Sequence, residues 1–100
     1  MKIIEAHNPE LIADDKFVVV FSSLKHCPAC VRLKQTINRM QQVNGIYIYE
    51  IDVDKYADVA ARYNVLALPT ILFFKKGKVM SMLAGSISEM HLHEAIEALL

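Results

Sequence analysis

Five consecutive β-branched and aromatic residues, Phe17-Val18-Val19-Val20-Phe21, constrain the fold of this chain more than any other segment. The run has no alternation between apolar and polar positions, and this pattern is typical of a strand that is buried on both faces of its sheet. The sequence therefore predicts a central strand over residues 16–22.

The rest of the first two thirds of the chain predicts helices and strands in alternation. Apolar residues spaced three or four apart indicate amphipathic helices, and β-branched runs bounded by turn residues indicate strands. Asn and Asp are good helix caps, and Gly ends helices because it tolerates a positive φ. The expected elements are a short helix that begins at Asn8-Pro9-Glu10 and ends near Asp15, the central strand, a helix over Val31–Val43 ended by Asn44-Gly45, a strand over Ile46–Val53, and a helix capped by Asp54 that ends near Asn64.

The last third of the chain predicts a β-hairpin and a final helix. The hairpin strands are Ile71–Phe74 and Val79–Ala84, joined through Lys75-Lys76-Gly77-Lys78. The helix that follows is capped either by Ser88 or by Ser86, which forms a capping box with Glu89. The element order α-β-α-β-α-β-β-α predicts an α/β fold in which parallel strands with helical crossovers come first.

Composition fits a single domain, residues 1–100, and excludes several classes of partner. The hydrophobic content of 54% is ample for one core in a chain of 100 residues. Lys plus Arg and Asp plus Glu number 11 each, so the formal net charge is zero and we expect no nucleic acid and no anionic membrane as partners. The apolar run around Val18 is far too short to cross a bilayer.

The N-terminal residues, Met1–Asn8, indicate a cellular compartment. They contain one lysine and then polar side chains before any long apolar run, which is unlike a signal peptide. We therefore expect a cytoplasmic protein, and structural disulfides are rare in the cytosol. The two cysteines, Cys27 and Cys30, consequently need an explanation other than a structural bridge.

Cys27-Pro28-Ala29-Cys30 lies where the central strand gives way to a helix. A helix N-terminus presents unpaired N–H groups and about half a positive charge, which stabilise a thiolate and lower the pKa of a thiol. Cys27, at that end, is the expected nucleophile. Cys30, one turn further on, is close enough to resolve a mixed disulfide formed at Cys27.

Two other interpretations of the cysteine pair are weaker. The cysteines can be small buried residues without a redox role, but their position at a strand-to-helix junction favours chemistry. A structural zinc ion usually needs four ligands, whereas this chain offers one cysteine pair and scattered histidines. We therefore expect no metal. The histidines are His7, His26, His91 and His93.

Three neighbours of the cysteines are candidates for tuning the thiolate. Positive charge at Lys25 and His26, immediately before Cys27, favours the charged form of the sulfur. The alternative is that both residues simply fill an exposed turn. Pro28 suits the first helical position and removes one potential N–H donor to the sulfur.

The segment Leu68-Pro69-Thr70-Ile71-Leu72-Phe73-Phe74-Lys75-Lys76-Gly77-Lys78-Val79 closely resembles the thioredoxin family, and the order of elements resembles it over nearly the whole chain. The resemblance implies a thioredoxin fold, a mixed sheet of central parallel strands plus a C-terminal hairpin, flanked by helices. It also implies that Pro69 is a cis-proline facing the dithiol and that Gly85 borders the same groove. Leu68 would offer its backbone to an extended substrate, beside Ala67.

The chain departs from the family pattern in ways that make it an atypical thioredoxin. Phe21 occupies the position of the family's buried aspartate, so the usual proton acceptor is missing. We expect Glu50, on the adjacent strand, to supply a carboxylate instead. The order Cys-Pro-x-Cys is more similar to glutaredoxins, and His26 and Ser23 stand where tryptophans are common.

These observations predict a thiol-disulfide oxidoreductase that reduces protein disulfides and needs no cofactor beyond its own redox-active disulfide. Its partners would be protein disulfide substrates and a thioredoxin-reductase-like or other thiol reductant. Two alternatives stay open, a glutathione-dependent activity similar to glutaredoxins and a non-enzymatic binding module of the same fold.

Overall fold

The computed structural model describes residues 1–43 and 45–100, and its main feature is one five-stranded sheet with strand order β1-β3-β2-β4-β5. Three α-helices flank the sheet. The elements are β1 (Ile3–Glu5), β2 (Lys16–Ser22), α1 (Pro28–Arg39), β3 (Tyr47–Asp52), α2 (Ala57–Arg62), β4 (Thr70–Lys75), β5 (Lys78–Ala84) and α3 (Glu89–Glu97). Within these described residues, no helix is long and apolar enough to span a membrane.

Strand β2 is the centre of the sheet, as its unbroken apolar run predicts. It pairs in parallel with β3, with Val20 opposite Glu50, and antiparallel with β4, with Phe21 opposite Thr70. Every residue of β2 after Lys16 is buried. The mixed sheet is the predicted one, with parallel strands first and an antiparallel hairpin last.

Alternate residues of β2 feed two hydrophobic cores, because successive side chains on a strand point to opposite faces. Val18 and Val20 pack with helices α1 and α3 on one face of the sheet. Phe17, Val19 and Phe21 pack with helix α2 on the other face. Both cores are therefore anchored on the same central strand.

The N-terminal segment differs from the sequence-based expectation. Residues Ile3–Glu5 form an unexpected strand, β1, which pairs in parallel with β3 at the sheet edge. The helix expected to end near Asp15 is only a 3-10 turn over Pro9–Leu11, although Asn8 Oδ1 does accept a hydrogen bond from the Glu10 N–H at 3.0 Å. The turn stops because Ile12 is extended, with φ −89° and ψ 121°.

Helix α1 begins where the cysteine motif predicts but ends earlier than the amphipathic stretch Val31–Val43 predicts. Its N-cap is Cys27 and its first residue is Pro28, since proline suits the first helical position. It ends at Arg39 rather than Val43, because Met40 is extended at φ −77° and ψ 146°. The predicted stop at Asn44 lies outside the described residues, while Gly45 has the expected positive φ of 80°.

The prediction that Asp54 caps the following helix is wrong. Helix α2 begins at Ala57, and its N-cap residue, Tyr56, makes no side-chain capping bond. The Asp54 carboxylate instead accepts a hydrogen bond from Ser23 Oγ at 2.6 Å. The Asp54 side chain therefore bonds a residue distant in sequence and does not cap helix α2.

The C-terminal hairpin and helix agree with their predictions. Strands β4 and β5 are joined by a tight turn at Lys76-Gly77, where φ is positive at both residues, 52° and 76°. The structure also decides between the two possible caps of α3. Ser88 Oγ accepts a hydrogen bond from the His91 N–H at 3.1 Å, so Ser88 is the cap.

Candidate active site

Cys27 and Cys30 form a disulfide at the N-terminus of helix α1, with their Cα atoms 5.2 Å apart. Cys27 is the N-cap residue of the helix and is half-buried. Cys30, one turn along, has an exposed fraction of 0%. The two sulfurs therefore differ sharply in their access to solvent.

The first turn of α1 supplies the polar environment of the Cys27 sulfur. Pro28 has no N–H, and the Cys30 N–H donates a hydrogen bond to Cys27 Sγ at 3.2 Å. The Val31 N–H bonds the Cys27 carbonyl oxygen, also at 3.2 Å. An amide donor at the positive end of a helix favours negative charge on this sulfur.

A short loop, residues 23–26, turns the chain from β2 into α1. Ser23 is buried, its hydroxyl donates to Asp54 Oδ2 at 2.6 Å, and its oxygen accepts from the Lys25 N–H at 3.0 Å. His26 has a left-handed backbone, φ 48°, which costs roughly 1 kcal/mol for a non-glycine residue. Lys25 and His26 are both exposed. The pairing of Ser23 with Asp54 was not predicted, because the two residues are distant in sequence.

A shallow depression lies beside Cys27 on the solvent side. Its apolar lining includes Leu24 and Val31, whose exposed fractions are 69% and 55%. The full lining is Ser23, Leu24, His26, Cys27, Pro28, Val31 and Lys34. Exposed apolar side chains next to a reactive sulfur are suited to contact another protein.

The segment that precedes β4 lies at the same end of the sheet as the cysteines. Thr70, the first residue of β4, pairs with Phe21 near the end of β2. The Leu68–Pro69 peptide bond is cis, and Pro69 is buried. The Gly85 N–H donates to the Pro69 carbonyl oxygen at 2.9 Å, which ties the end of β5 to this segment.

The residues before Pro69 are more exposed. Leu66 has an exposed fraction of 95%, Ala67 is exposed and Leu68 is half-buried. The Ala67 carbonyl oxygen accepts a hydrogen bond from Thr70 Oγ1 at 2.5 Å, which holds the turn. Exposed apolar residues therefore stand just before β4, at the end of the sheet that carries the cysteines.

Phe21, which replaces the expected buried aspartate, and Glu50, the expected substitute carboxylate, lie on opposite faces of the sheet. Phe21 has an exposed fraction of 0% and belongs to the apolar core against α2. Glu50 is half-buried on the α1 face, where Oε2 accepts from Ser22 Oγ at 2.6 Å and pairs with Lys34 Nζ at 2.7 Å. Lys34 lies one helical turn beyond Cys30. Sequence reasoning missed Ser22 and Lys34, because only the fold brings them to Glu50.

The histidines do not form a cluster in the structure. His7 stacks on Tyr56, with ring centroids 4.8 Å apart, and His93 Nε2 lies 2.9 Å from Glu97 Oε1 on helix α3. Among residues 1–43 and 45–100, no group of three or more His, Cys, Asp or Glu side chains is arranged to hold a metal ion.

Comparison with known proteins identifies the family. Residues 2–98 match the Thioredoxin family. The chain is 36% identical over 78 residues to the thioredoxin of Oryctolagus cuniculus, covering 77% of this chain and 74% of that protein. It is 37% identical over 76 residues to thioredoxin-1 of Saccharomyces cerevisiae, covering 75% and 74%.

Solved structures agree with these relatives. Mitochondrial thioredoxin 3 of Saccharomyces cerevisiae, in its oxidised form, superposes with a TM-score of 0.85 at 25% identity, covering 97% of this chain and 95% of that one. A mutant thioredoxin of Halobacterium salinarum has a TM-score of 0.86 at 21% identity, covering 98% and 90%, and supports the fold alone. The resemblance noted in the segment Leu68–Val79 and the thioredoxin fold it implied are confirmed. The chain belongs to the thioredoxin family and is a thiol-disulfide oxidoreductase.

Proposed function

We propose that this oxidoreductase reduces protein disulfides, with Cys27 as the nucleophile and Cys30 as the resolving thiol. The observation that carries the assignment is the contrast between the two sulfurs. Cys27 is half-exposed and accepts an amide hydrogen bond at a helix N-terminus, whereas Cys30 is completely buried behind it. Only Cys27 is therefore accessible to the disulfide of another protein.

In the reduced enzyme, the Cys27 thiolate attacks one sulfur of the substrate disulfide. A bond forms between Cys27 and that sulfur, and the other substrate sulfur leaves as a thiolate. Cys30 then loses its proton and attacks the Cys27 sulfur, which forms the Cys27–Cys30 disulfide and releases the second substrate thiol. The substrate gains two electrons, and the enzyme ends in the oxidised form seen in the structure.

Leu68, Pro69, Ala67 and Gly85 are proposed to hold the substrate beside Cys27. Leu68 offers its backbone to an extended peptide, as in other cases of strand addition. The support is their shared position at the end of the sheet where β2 leads into α1, together with the exposure of Ala67 and the bond between Gly85 and Pro69.

Glu50 is proposed to accept the proton that Cys30 loses during resolution. Phe21 leaves no carboxylate at the family's usual position, and Glu50 is a half-buried carboxylate held by Ser22 and Lys34 on the α1 face. We expect Glu50→Gln to slow resolution of a preformed mixed disulfide by Cys30 across the range from about pH 6 to pH 9. Glu94→Gln, on the exposed face of α3, is the matched control. A resolving rate that stays unchanged in Glu50→Gln over this pH range would contradict the role.

His26, Lys25 and Pro28 are proposed to tune the Cys27 thiolate. The exposed Lys25 and His26 immediately precede the sulfur and favour its charged form, whereas Pro28 leaves the sulfur one potential N–H donor fewer in the first turn. Alkylation rates of Cys27 measured against pH in wild type and His26→Ala test this proposal. If the two rate profiles coincide, His26 has no tuning role.

The proposed partners are protein disulfides on one side and a thioredoxin-reductase-like or other thiol reductant on the other. The dithiol itself is the proposed redox group, without a further cofactor. A reducing compartment, the cytoplasm, suits this direction of electron flow.

Insulin reduction with dithiothreitol as the electron donor tests the function. We expect wild type to be active and both Cys27→Ser and Cys30→Ser to lose turnover. Cys30→Ser should also accumulate mixed disulfides with its substrates, since the resolving thiol is gone. Inactivity of the wild type would overturn the proposal, and trapping by Cys27→Ser in place of Cys30→Ser would reverse the roles of the two thiols.

A further inference from the structure

Helix α1 carries an unbalanced positive charge although the whole chain is neutral. It contains Arg32, Lys34 and Arg39 and no acidic residue. Lys34 is neutralised by Glu50 at 2.7 Å. The remaining positive charges of the helix are Arg32 and Arg39.

Both arginines line one groove that reaches the cysteine motif at Ala29. The groove runs between α1 and the segment that leads into α3, and it begins at Ala29, inside the Cys-x-x-Cys sequence. Arg32 follows Ala29 by three residues, a spacing that places both on one helix face. The lining residues are Ala29, Arg32, Leu33, Thr36, Arg39 and Ser86–Glu89.

The groove has one carboxylate, and it faces the far arginine. Glu89 Oε1 lies 4.0 Å from Arg39 Nη2, and the same nitrogen donates to Thr36 Oγ1 at 3.3 Å. Arg32 is exposed and forms no salt bridge with any residue that the structure describes. The end of the groove next to the cysteines therefore has an uncompensated guanidinium.

We propose that this groove, the Arg32 groove, selects disulfide substrates that carry carboxylate side chains close to the reacting cysteine. The inference rests on the proposed function. Gly85, in the proposed substrate-binding segment, immediately precedes Ser86 at the groove wall. A peptide bound there has neighbouring side chains within reach of Arg32, and a guanidinium pairs well with a carboxylate.

Three peptides test the selectivity. They share the same disulfide and a fluorophore-quencher pair, and the disulfide is flanked by two Glu, two Gln or two Lys residues. The readout is the single-turnover rate of reduction by the pre-reduced enzyme. We expect the Glu peptide to react about 10 times faster than the Lys peptide at about 20 mM salt, and within about threefold of it at about 500 mM, where surface charges are screened.

Arg32→Glu should abolish or invert the preference, and Arg32→Gln should give an intermediate value. Lys78→Glu is the matched control, because it makes the same charge change on β5 opposite Lys75, at the end of the sheet away from the cysteines. Its preference should stay that of the wild type. The role of the Arg32 groove would be overturned if the Glu and Lys peptides react at equal rates, or if Arg32→Glu and Lys78→Glu lose the preference equally. Reduction of the Gln peptide would still uphold the proposed function in either case. If none of the three peptides is reduced, both proposals are overturned.

Discussion

The hydroxyl of Tyr49 donates a hydrogen bond to Asp14 Oδ2 at 2.7 Å, a contact between β3 and the loop before β2. Burial, and after it the hydrogen bond and charge of Asp14, raise the pKa of Tyr49 to about 12. A raised tyrosine pKa means that the folded state holds the proton more tightly than the unfolded state does. The stabilisation is complete below the ordinary pKa of 10.0 and is lost as pH rises through about 12.

Replacing Asp14 with alanine should lower the pKa of Tyr49 from about 12 toward 10.0, without reaching it, because burial, the largest single cause, remains. Ultraviolet titration of Asp14→Ala and wild type, each with its Tyr49→Phe counterpart subtracted, isolates this one phenol. A pKa that stays near 12 in Asp14→Ala would show that Asp14 contributes nothing.

Ser23 is the residue on which the loop before Cys27 depends. Its hydroxyl satisfies both the Asp54 carboxylate and the Lys25 N–H. We expect Ser23→Ala to lower the free energy of unfolding by about 1–2 kcal/mol, since the buried hydroxyl loses two hydrogen bonds, one of them to a carboxylate. Urea unfolding measures this, and Ser81→Ala, at an exposed position of β5, should change stability by less than about 0.5 kcal/mol. Equal effects of the two substitutions would contradict the assigned role of Ser23.

At the scale of elements, the cap of α3 gives a direct comparison of two serines. Ser88 Oγ accepts the His91 N–H, whereas no such bond is made by Ser86. Ser88→Ala should cost about 1 kcal/mol of stability, as the loss of an N-cap usually does, and Ser86→Ala should cost much less. Thermal unfolding of the two variants beside wild type measures the difference. A larger loss in Ser86→Ala would mean that Ser86 is the cap.

The elements that sequence patterns predicted well are those with many apolar positions. Strand β2 and the β4-β5 hairpin follow from runs of apolar residues and a Gly turn, both of which are local signals. Strand β1 was missed because three residues carry too weak a pattern, and it exists only through its pairing with β3. Asp54 failed as a cap for a similar reason, since its partner, Ser23, comes from a distant part of the chain.

The residues of the candidate site also differ in how well the sequence alone predicts them. Cys27 and Cys30 stand out from spacing and placement alone, and the family resemblance drew attention to Pro69 and Gly85. The setting of Glu50 was beyond sequence reasoning, because Ser22 and Lys34 reach it from another strand and a helix. Arg32 was not singled out either, since a groove is formed by two elements and has no local pattern.

At the scale of the whole molecule, the two cores share strands β2 and β4 and should unfold together. Phe73 is fully buried on the α1 and α3 face, so Phe73→Ala should cost about 3–5 kcal/mol. The tyrosines Tyr49 and Tyr63 pack on the opposite face. Urea curves of Phe73→Ala from tyrosine fluorescence and from far-ultraviolet circular dichroism should therefore shift by the same amount. Separate midpoints would show that the two cores unfold independently.

The pairing of β2 with β4 also bears on how such a protein diverges. The cysteines follow β2 and the cis-proline precedes β4, and these two strands are paired neighbours in the sheet, so the packed interior holds both segments at the same end of the sheet. Leu24 and Val31 lie beside Cys27, Leu66 lies shortly before Pro69, and none of these three exposed side chains belongs to either core. These three side chains can therefore be substituted during evolution without repacking the interior. Partner choice is thus free to evolve, while the geometry of the reaction is inherited with the sheet.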